Sequence, residues 1–255
     1  MIDPFHLEAY GETTVNYNRD VEIFPVLNTI FEKIYGESPY KSPTDMGVNM
    51  AGNCICDDEA CREASKQEII RRYFDALNAL AKGSTSEKEA QKIELLMNMA
   101  GITVTDRKVV IKALERAKET DGPAAALELR DGRIITGKTT NLLGASAALL
   151  LNVLKVLAGI DHETHIISPE SIEPIQKLKV DYLKSKNPRL HTDEVLIALS
   201  ASAATNPQAR LALSQLPELA GCQAHTSVML SDVDIKIFKK LEVQLTSEAV
   251  YEHAL

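Results

Sequence analysis

The sequence predicts an α/β protein with two parts, a helical N-terminal module over residues 1–103 and a three-layer α/β domain over residues 104–255. Three observations support this division. The chain has 255 residues, which is more than a usual single domain. Its first part shows helical periodicity. Its second part alternates helical with strand-like segments, a pattern typical of helices that cover a sheet.

The helical module has apolar side chains three to four positions apart, which is the pattern of amphipathic helices. Helices are predicted over residues 20–35, 59–81 and 86–101. Pro25 must therefore lie in the first turn of its helix or kink it, and Gly36 ends that helix. Ser86 followed by Glu89 is typical of a capping box, and Gly101 closes the third helix.

The second domain is predicted as a series of helices and short strands. Helices are predicted over residues 105–119, 141–159 and 231–240, and three more begin at Ser168, Thr192 and Asn206. Strands are predicted over residues 124–129, 133–136, 165–167, 224–230 and 243–246. Asp131 and Gly132 lie between the first two strands, and this dipeptide favours a tight two-residue hairpin turn.

Residues 132–139 match the phosphate-loop pattern, in which a glycine and four further residues precede Gly-Lys-Thr. A phosphate loop surrounds the phosphates with successive backbone N–H groups and favours small residues. Here the four intervening residues are Arg-Ile-Ile-Thr, and the two isoleucines prefer an extended strand. Gly132 also suits the second position of the hairpin turn. The segment is therefore predicted as a strand rather than a phosphate loop.

The order of elements in the second domain resembles the cytidine-deaminase-like fold. In zinc deaminases the helix after the hairpin begins with a zinc ligand and a glutamate, and the next helix begins with Pro-Cys-x-x-Cys. At those places this chain has Asn-Leu-Leu-Gly-Ala over residues 141–145 and Ser-Pro-Glu-Ser over residues 168–171. The resemblance therefore implies a topology, and no zinc site is predicted.

The composition argues against two classes of partner. The formal net charge is −8 and the isoelectric point is near 5.3, whereas a nucleic-acid-binding face needs clustered lysine and arginine. The most apolar window, residues 145–160, is too short to span a bilayer and contains Asn152 and Lys155. The first residues lack the basic and apolar regions of a signal peptide. We therefore expect a cytoplasmic protein with no nucleic-acid and no membrane partner.

Four cysteines are too few for a dense disulfide framework and fit a reducing compartment. Cys54, Cys56 and Cys61 lie close together in the sequence, and a thiolate cluster can hold a metal. Their spacing differs from the two-residue knuckle of zinc ribbons. Reduced, partly buried thiols are the simpler interpretation, so no metal site is predicted. Metal binding by these three cysteines is left open.

Polar side chains concentrate in N-terminal segments that lack periodicity, and loops of this kind often carry binding groups. We expect seven such residues to converge on one ligand-binding pocket: Asp3, His6, Asn16, Asn18, Arg19, Asp45 and Asn49. Arg19 offers a planar fork to a carboxylate or phosphate, and His6 exchanges protons near neutral pH. The alternative is that these residues only cap helices and close turns, because Asn and Asp do both well.

Two histidines of the second domain are further candidates for ligand binding. His191 precedes a predicted helix with Asp193 and Glu194 nearby, and His225 lies in a predicted strand. Each could act as a general base or donate a hydrogen bond to a ligand. A structural histidine with satisfied hydrogen bonds is the competing interpretation for both.

Three strings carry a resemblance to a known family. They are Asp-Pro-Phe-His-Leu-Glu-Ala-Tyr-Gly at residues 3–11, Val-Asn-Tyr-Asn-Arg-Asp at 15–20 and Ser-Pro-Thr-Asp-Met-Gly-Val-Asn at 42–49. They closely resemble an uncharacterised bacterial family catalogued as domain of unknown function 1846. Family members are about twice as long, so the resemblance implies that this chain is a C-terminal half. It also implies that the missing N-terminal half is a partner and carries a glycine-rich nucleotide site.

Two classes of function follow. In the first, the chain is part of a cytosolic nucleotide-dependent enzyme and contributes substrate-binding groups and domain closure. In the second, it is a non-catalytic module for assembly or small-ligand binding. A small phosphorylated or nucleotide ligand and a homo-oligomer are the further partners considered, and no cofactor is assigned. The polar N-terminal residues favour the enzyme, whereas the lack of a recognisable nucleophile–base pair in the sequence favours the module.

Overall fold

The computed structural model of the protein describes residues 17–40 and 58–252, and the chain divides into two units, residues 1–107 and 108–255. The regular structure described in the first unit is helical. It consists of α1 (Tyr17–Tyr35), α2 (Asp58–Ala81), α3 (Glu87–Ala100) and a 3-10 turn (Val104–Asp106). Within the described ranges of both units, no helix combines the length and apolarity needed to cross a membrane.

The three helices predicted for the first unit are present. α1 begins at Tyr17, before the predicted start, so Pro25 lies inside the helix rather than in its first turn. Gly36 and Gly101 follow α1 and α3 with φ of +83° and +64°, a region that glycine adopts readily. Ser86 is the N-cap of α3, but its side chain makes no capping hydrogen bond. The capping-box prediction is therefore wrong for Ser86.

The second unit is a mixed α/β fold on a four-stranded sheet. Its α-helices are α4 (Lys108–Thr120), α5 (Ala145–Leu157), α6 (Pro169–Lys177), α7 (Thr192–Ser202), α8 (Pro207–Leu213) and α9 (Asp232–Lys240). A π-helical turn (Leu178–Tyr182) and a 3-10 turn (Leu216–Leu219) accompany them. Its strands are β1 (Ala124–Glu128), β2 (Ile134–Lys138), β3 (Gln223–Thr226) and β4 (Gln244–Ser247). The strand order is β2-β1-β3-β4; β3 and β4 are parallel, and the other neighbours are antiparallel.

β1 and β2 form a hairpin around Asp131 and Gly132, as predicted, but its loop has three residues (130–132) rather than two, because the Leu129 N–H donates to the Arg133 carbonyl oxygen at 2.8 Å. The Gly132 N–H donates to the Leu129 carbonyl oxygen at 2.9 Å, and Gly132 has a φ of +83°. Gly137 lies within β2, where an added Cβ atom would come within 2.2 Å of the Leu149 backbone nitrogen in α5. The segment that matches the phosphate-loop pattern is therefore a turn and a strand packed closely against a helix.

Helices pack against both faces of the sheet. Successive side chains of β1 point in opposite directions, so this strand contributes to the core on each face. Ala126 packs with Val109 and Ala113 of α4 on one face. Ala125 and Leu127 point to the other face, into the main core that also contains side chains of α5, α7 and α8. The mixed α/β prediction is confirmed, and the cytidine-deaminase-like topology stays a prediction.

Two elements predicted for the second domain are wrong. Residues 165–167 are not a strand, and the helix predicted from Asn141 begins at Ala145. The residues before α5 make contacts with a distant segment, since the Leu190 N–H donates to the Leu142 carbonyl oxygen at 2.9 Å. This long-range pairing takes the place of the first helical turn.

Candidate functional site

Most of the predicted N-terminal pocket lies outside the described residues. Five of its seven members are in segments that the structure does not describe: Asp3, His6, Asn16, Asp45 and Asn49. Asn18 and Arg19 are in the first turn of α1, where only the backbone is described. The convergence of these seven residues on one pocket therefore stays a prediction.

The predicted cysteine cluster also lies largely outside the described ranges. Cys54 and Cys56 are not described, and Cys61 is in α2. Cys222 is a buried free thiol before β3, and its burial raises its pKa. Among the described side chains, no three of His, Cys, Asp and Glu lie close enough together to hold a metal ion.

A buried polar cluster surrounds Asp234, in the first turn of α9. The Asp234 side chain is 5% exposed. Its Oδ1 accepts hydrogen bonds from the backbone N–H and the hydroxyl of Thr192, at 2.9 and 2.8 Å. Its Oδ2 accepts the Ser231 hydroxyl at 2.7 Å and lies 3.0 Å from Nδ1 of His191. Burial alone would raise the pKa of Asp234, but these hydrogen bonds outweigh it and lower the pKa to about 2.

His191 immediately precedes α7 and presents one ring nitrogen to this carboxylate. The hydrogen bond to Asp234 raises the pKa of His191, although partial burial of the ring acts in the opposite direction. The side chain is 32% exposed, and its Nε2 atom has no hydrogen-bonding partner among the described residues. Asp234 therefore fixes the orientation of the ring and leaves the second nitrogen available for proton exchange with a ligand.

Ser231 is not arranged as a nucleophile. In a Ser-His-Asp triad the serine and the aspartate contact opposite nitrogens of the imidazole. Here Ser231 Oγ lies 3.5 Å from the Nδ1 atom of His191 that faces Asp234, and the hydroxyl donates to the Asp234 carboxylate. Ser231 also accepts the Asp234 backbone N–H at the start of α9. The cluster therefore suits proton transfer and does not activate a serine.

A second ion pair lies beside His191. The Lys179 ammonium is 2.8 Å from Glu194 Oε2, and the same oxygen accepts the His191 backbone N–H at 2.8 Å. Lys179 also donates to the Arg189 carbonyl oxygen at 2.5 Å. These bonds hold the backbone on either side of His191, so that α7 as well as α9 positions the imidazole.

His225 has a different environment. It lies in β3 and is fully buried. Its Nδ1 is 2.8 Å from the Thr246 hydroxyl of β4, and its Nε2 is 3.3 Å from Glu248. Both ring nitrogens therefore face protein groups, which favours the structural interpretation of this histidine.

The sequence does not single out four members of the cluster as site residues: Lys179, Thr192, Ser231 and Asp234. Ser231 followed by Asp234 is a local helix-start pattern and is visible in the sequence. The contact between Asp234 and His191 joins residues 43 positions apart, and no local pattern indicates it.

The helical unit contains a separate cavity of about 750 Å³. Its polar lining includes Asn28, Glu32, Arg62, Lys66 and Asp106. Because this lining carries charges of both signs, it does not indicate one class of ligand.

Two family models match the chain. The domain of unknown function DUF1846, C-terminal, matches residues 105–255, and the domain of unknown function DUF1846, N-terminal, matches residues 1–101. The chain belongs to the DUF1846 family. A UPF0371 protein of Corynebacterium urealyticum is 59% identical over 251 residues, which are 98% of this chain and 50% of that protein. A UPF0371 protein of Streptococcus thermophilus is 54% identical over 253 residues, which are 99% of this chain and 51% of that protein.

The DUF1846 chain thus spans about half the length of the curated relatives it matches. The family resemblance noted in the sequence is confirmed. The prediction that the chain is a C-terminal half, whose partner is a missing N-terminal half, is wrong, because the N-terminal family model matches residues 1–101. His191 and Asp234 both lie in the region matched by the C-terminal model.

Proposed function

We propose that this DUF1846 chain contributes a general acid–base site to a cytosolic enzyme, in which His191 exchanges a proton with a bound substrate. One observation carries the proposal: the buried Asp234 carboxylate lies 3.0 Å from Nδ1 of His191, while Nε2 has no partner among the described residues. The raised pKa of His191 increases the protonated fraction of the imidazole near neutral pH. Nε2 could therefore donate a proton and later accept one.

The proposal also includes three more specific expectations from the sequence. They are a nucleotide or other phosphorylated substrate, a homo-oligomer, and a cytidine-deaminase-like topology without the zinc chemistry of that fold. A phosphate ester would suit a general acid, because protonation of the leaving oxygen assists the cleavage of its bond to phosphorus.

A non-catalytic module is the second candidate, and one observation favours it. The hydrogen bonds of Asp234 to His191 and Thr192 join the start of α7 to the start of α9. The cluster could therefore serve only to hold two helices together. In that case, substitution of His191 would change stability and would change no reaction rate.

The deciding experiment compares hydrolysis rates of phenyl phosphate, phenyl acetate and nucleoside triphosphates by the wild-type chain and by His191→Gln. Asp193→Asn is the matched control, because the Asp193 carboxylate accepts the Glu194 N–H and makes no described hydrogen bond to His191. We expect His191→Gln to lower at least one rate by about 100-fold or more, since general acid–base catalysis contributes factors of this size. Asp193→Asn should retain the wild-type rate.

The pH profile of that rate should report a group with a pKa above the usual 6.5 of histidine, because Asp234 raises the pKa of His191. Circular dichroism shows whether each variant is folded. Equal rates for folded wild type and folded His191→Gln on every substrate would reject the acid–base site and favour the non-catalytic module.

A further inference from the structure

A cavity of about 350 Å³ lies beside β2, an edge strand of the sheet in the second unit. α5 and residues 162–167 contribute to its walls. The Asn152 amide of α5 donates to the Thr136 carbonyl oxygen of β2 at 2.9 Å and so joins the helix to the strand. The volume is at the lower end of the range of about 300–1,000 Å³ that is usual for small-molecule sites.

Positive charge is concentrated in this cavity. Arg116, Lys138 and Lys155 line it, together with one carboxylate, that of Glu163. The whole chain has the opposite balance, with 28 Lys and Arg residues against 36 Asp and Glu residues. Arg116 pairs with Glu119 at 3.1 Å, whereas Lys138 and Lys155 have no carboxylate within 4.0 Å among the described residues. Two ammonium groups therefore line the cavity without an ion pair.

Lys155 is the most informative of these residues because it is only 9% exposed. An ammonium group has three N–H donors. In the structure the Lys155 ammonium makes one hydrogen bond, to the carbonyl oxygen of His162. Burial lowers the pKa of Lys155, although Glu163 and Asp161 act in the opposite direction. Burying a cation without a counter-ion costs free energy, and an anionic ligand would offset that cost.

We propose that this cavity binds a small phosphomonoester, of the size of a triose or hexose phosphate. Lys155 and Lys138 donate charge-assisted hydrogen bonds to the phosphate oxygens, and the Thr140 hydroxyl supplies a further donor. Leu151 and Ile166 form apolar walls that contact the carbon skeleton. Recognition comes from side chains rather than from a phosphate loop, because the backbone of β2 packs against α5.

Isothermal titration calorimetry with glycerol 3-phosphate and glucose 6-phosphate, at matched ionic strength, tests this proposal. We expect saturable binding of at least one of them. Lys155→Met should weaken it by about tenfold or more, because a hydrogen bond to a charged group is lost. Lys118→Met is the matched control, since Lys118 is exposed on α4 and does not line the cavity. This control should change the affinity by less than about twofold.

A second variant covers the case in which Lys155→Met does not fold. The double variant Arg116→Met, Lys138→Met removes two less buried cations of the same cavity and should also weaken binding by about tenfold. This test measures affinity whereas the acid–base test measures reaction rates, so the two proposals can fail separately. Three results would overturn the phosphomonoester proposal: no saturable binding up to about 10 mM, tighter binding of malonate than of either phosphomonoester, or a loss of affinity in Lys118→Met equal to that in Lys155→Met.

Discussion

The polar contacts of the two units differ in how far apart their partners lie in the sequence. In the helical unit Glu68 pairs with Arg71 and Arg72 of the same helix, at 2.6 and 2.9 Å. Lys92 pairs with Glu89 of α3 in the same way, at 3.1 Å. Such pairs follow from the helical repeat, which brings residues three and four positions apart onto one face.

The main polar cluster of the α/β unit joins distant residues instead. His191 and Asp234 are 43 positions apart and begin two different helices. The helical unit also has a long-range contact, from Arg107 to Gln67 at 3.1 Å, so the difference is one of degree. A pair within one helix stabilises that helix, whereas a buried pair between helices stabilises their packing. Breaking the second kind should therefore cost more.

The largest expected effect is that of Asp234→Ala. This substitution leaves the His191 ring, the Thr192 N–H and the Ser231 hydroxyl without their shared acceptor in a buried site. We expect a loss of about 3–5 kcal/mol in the free energy of unfolding, the range for breaking a buried ion pair. Glu89→Ala, which removes an exposed pair within α3, should cost less than about 0.5 kcal/mol. Urea denaturation followed by circular dichroism measures both.

Hydrogen exchange shows which part of the molecule the Asp234→Ala substitution destabilises. Amides at the starts of α7 and α9 should lose protection, while those of α2 and α3 should not. Similar losses of stability in the two variants would show that sequence separation does not determine the strength of these contacts.

A smaller effect concerns acid stability, because the pKa values of one aspartate in each unit are shifted in opposite directions. The pKa of Asp234 falls from its usual 3.8 to about 2 in the folded state. Its ionised form therefore stabilises the fold above pH 3.8 by roughly 2 kcal/mol, and this contribution is lost as the pH falls through about 2. In the helical unit, partial desolvation followed by repulsion from Glu68 raises the pKa of Asp75, although this residue is exposed at the surface. Protonation of Asp75 at low pH therefore stabilises the folded state.

The free energy of unfolding of wild type, Asp234→Asn and Asp75→Asn, measured between pH 7 and pH 2, tests these signs. The advantage of wild type over Asp234→Asn should shrink as the pH falls. The difference between wild type and Asp75→Asn should move in favour of wild type over the same interval. Parallel pH dependences for the two variants would contradict the opposite shifts.

The contrast between local and long-range contacts also explains which elements the sequence predicts correctly. The Asp131–Gly132 hairpin and the helix starts at Ser168, Thr192 and Ser231 depend on neighbouring residues, and the structure confirms them. The predicted helix start at Asn141 fails because Leu190, far along the chain, pairs with that segment. Local signals identify an element, and they do not show which distant segment contacts it.

The candidate site shows the same limit. The sequence makes His191 a candidate because Asp193 and Glu194 are its neighbours, and Glu194 does accept a hydrogen bond from its backbone N–H. The carboxylate that contacts the ring is that of Asp234, in another helix. Similarly, Lys138 stands out in the sequence only as part of a phosphate-loop pattern, and in the structure it lies in the strand β2. Its place beside Lys155 becomes visible only when β2 and α5 are packed together.

The smallest predicted difference compares two helix N-caps, one in each unit, whose sequences suggest similar roles. Asn206 accepts hydrogen bonds from the N–H groups of Gln208 and Ala209, at 2.9 and 3.3 Å. Ser86 makes no capping bond with its side chain. We expect Asn206→Ala to cost about 1 kcal/mol in unfolding free energy, and Ser86→Ala less than about 0.5 kcal/mol.

Urea denaturation measures the loss of unfolding free energy in each variant. Hydrogen exchange at the first turns of α8 and α3 assigns each loss to its own helix. Asn206→Asp is the matched control, because aspartate retains the acceptor oxygen and should keep most of the stability. Here the distinction between the units depends on the capping hydrogen bonds of a single side chain at each helix start rather than on long-range packing. If Ser86→Ala costs as much as Asn206→Ala, Ser86 does cap α3 in solution, and the capping box predicted from the sequence is formed after all.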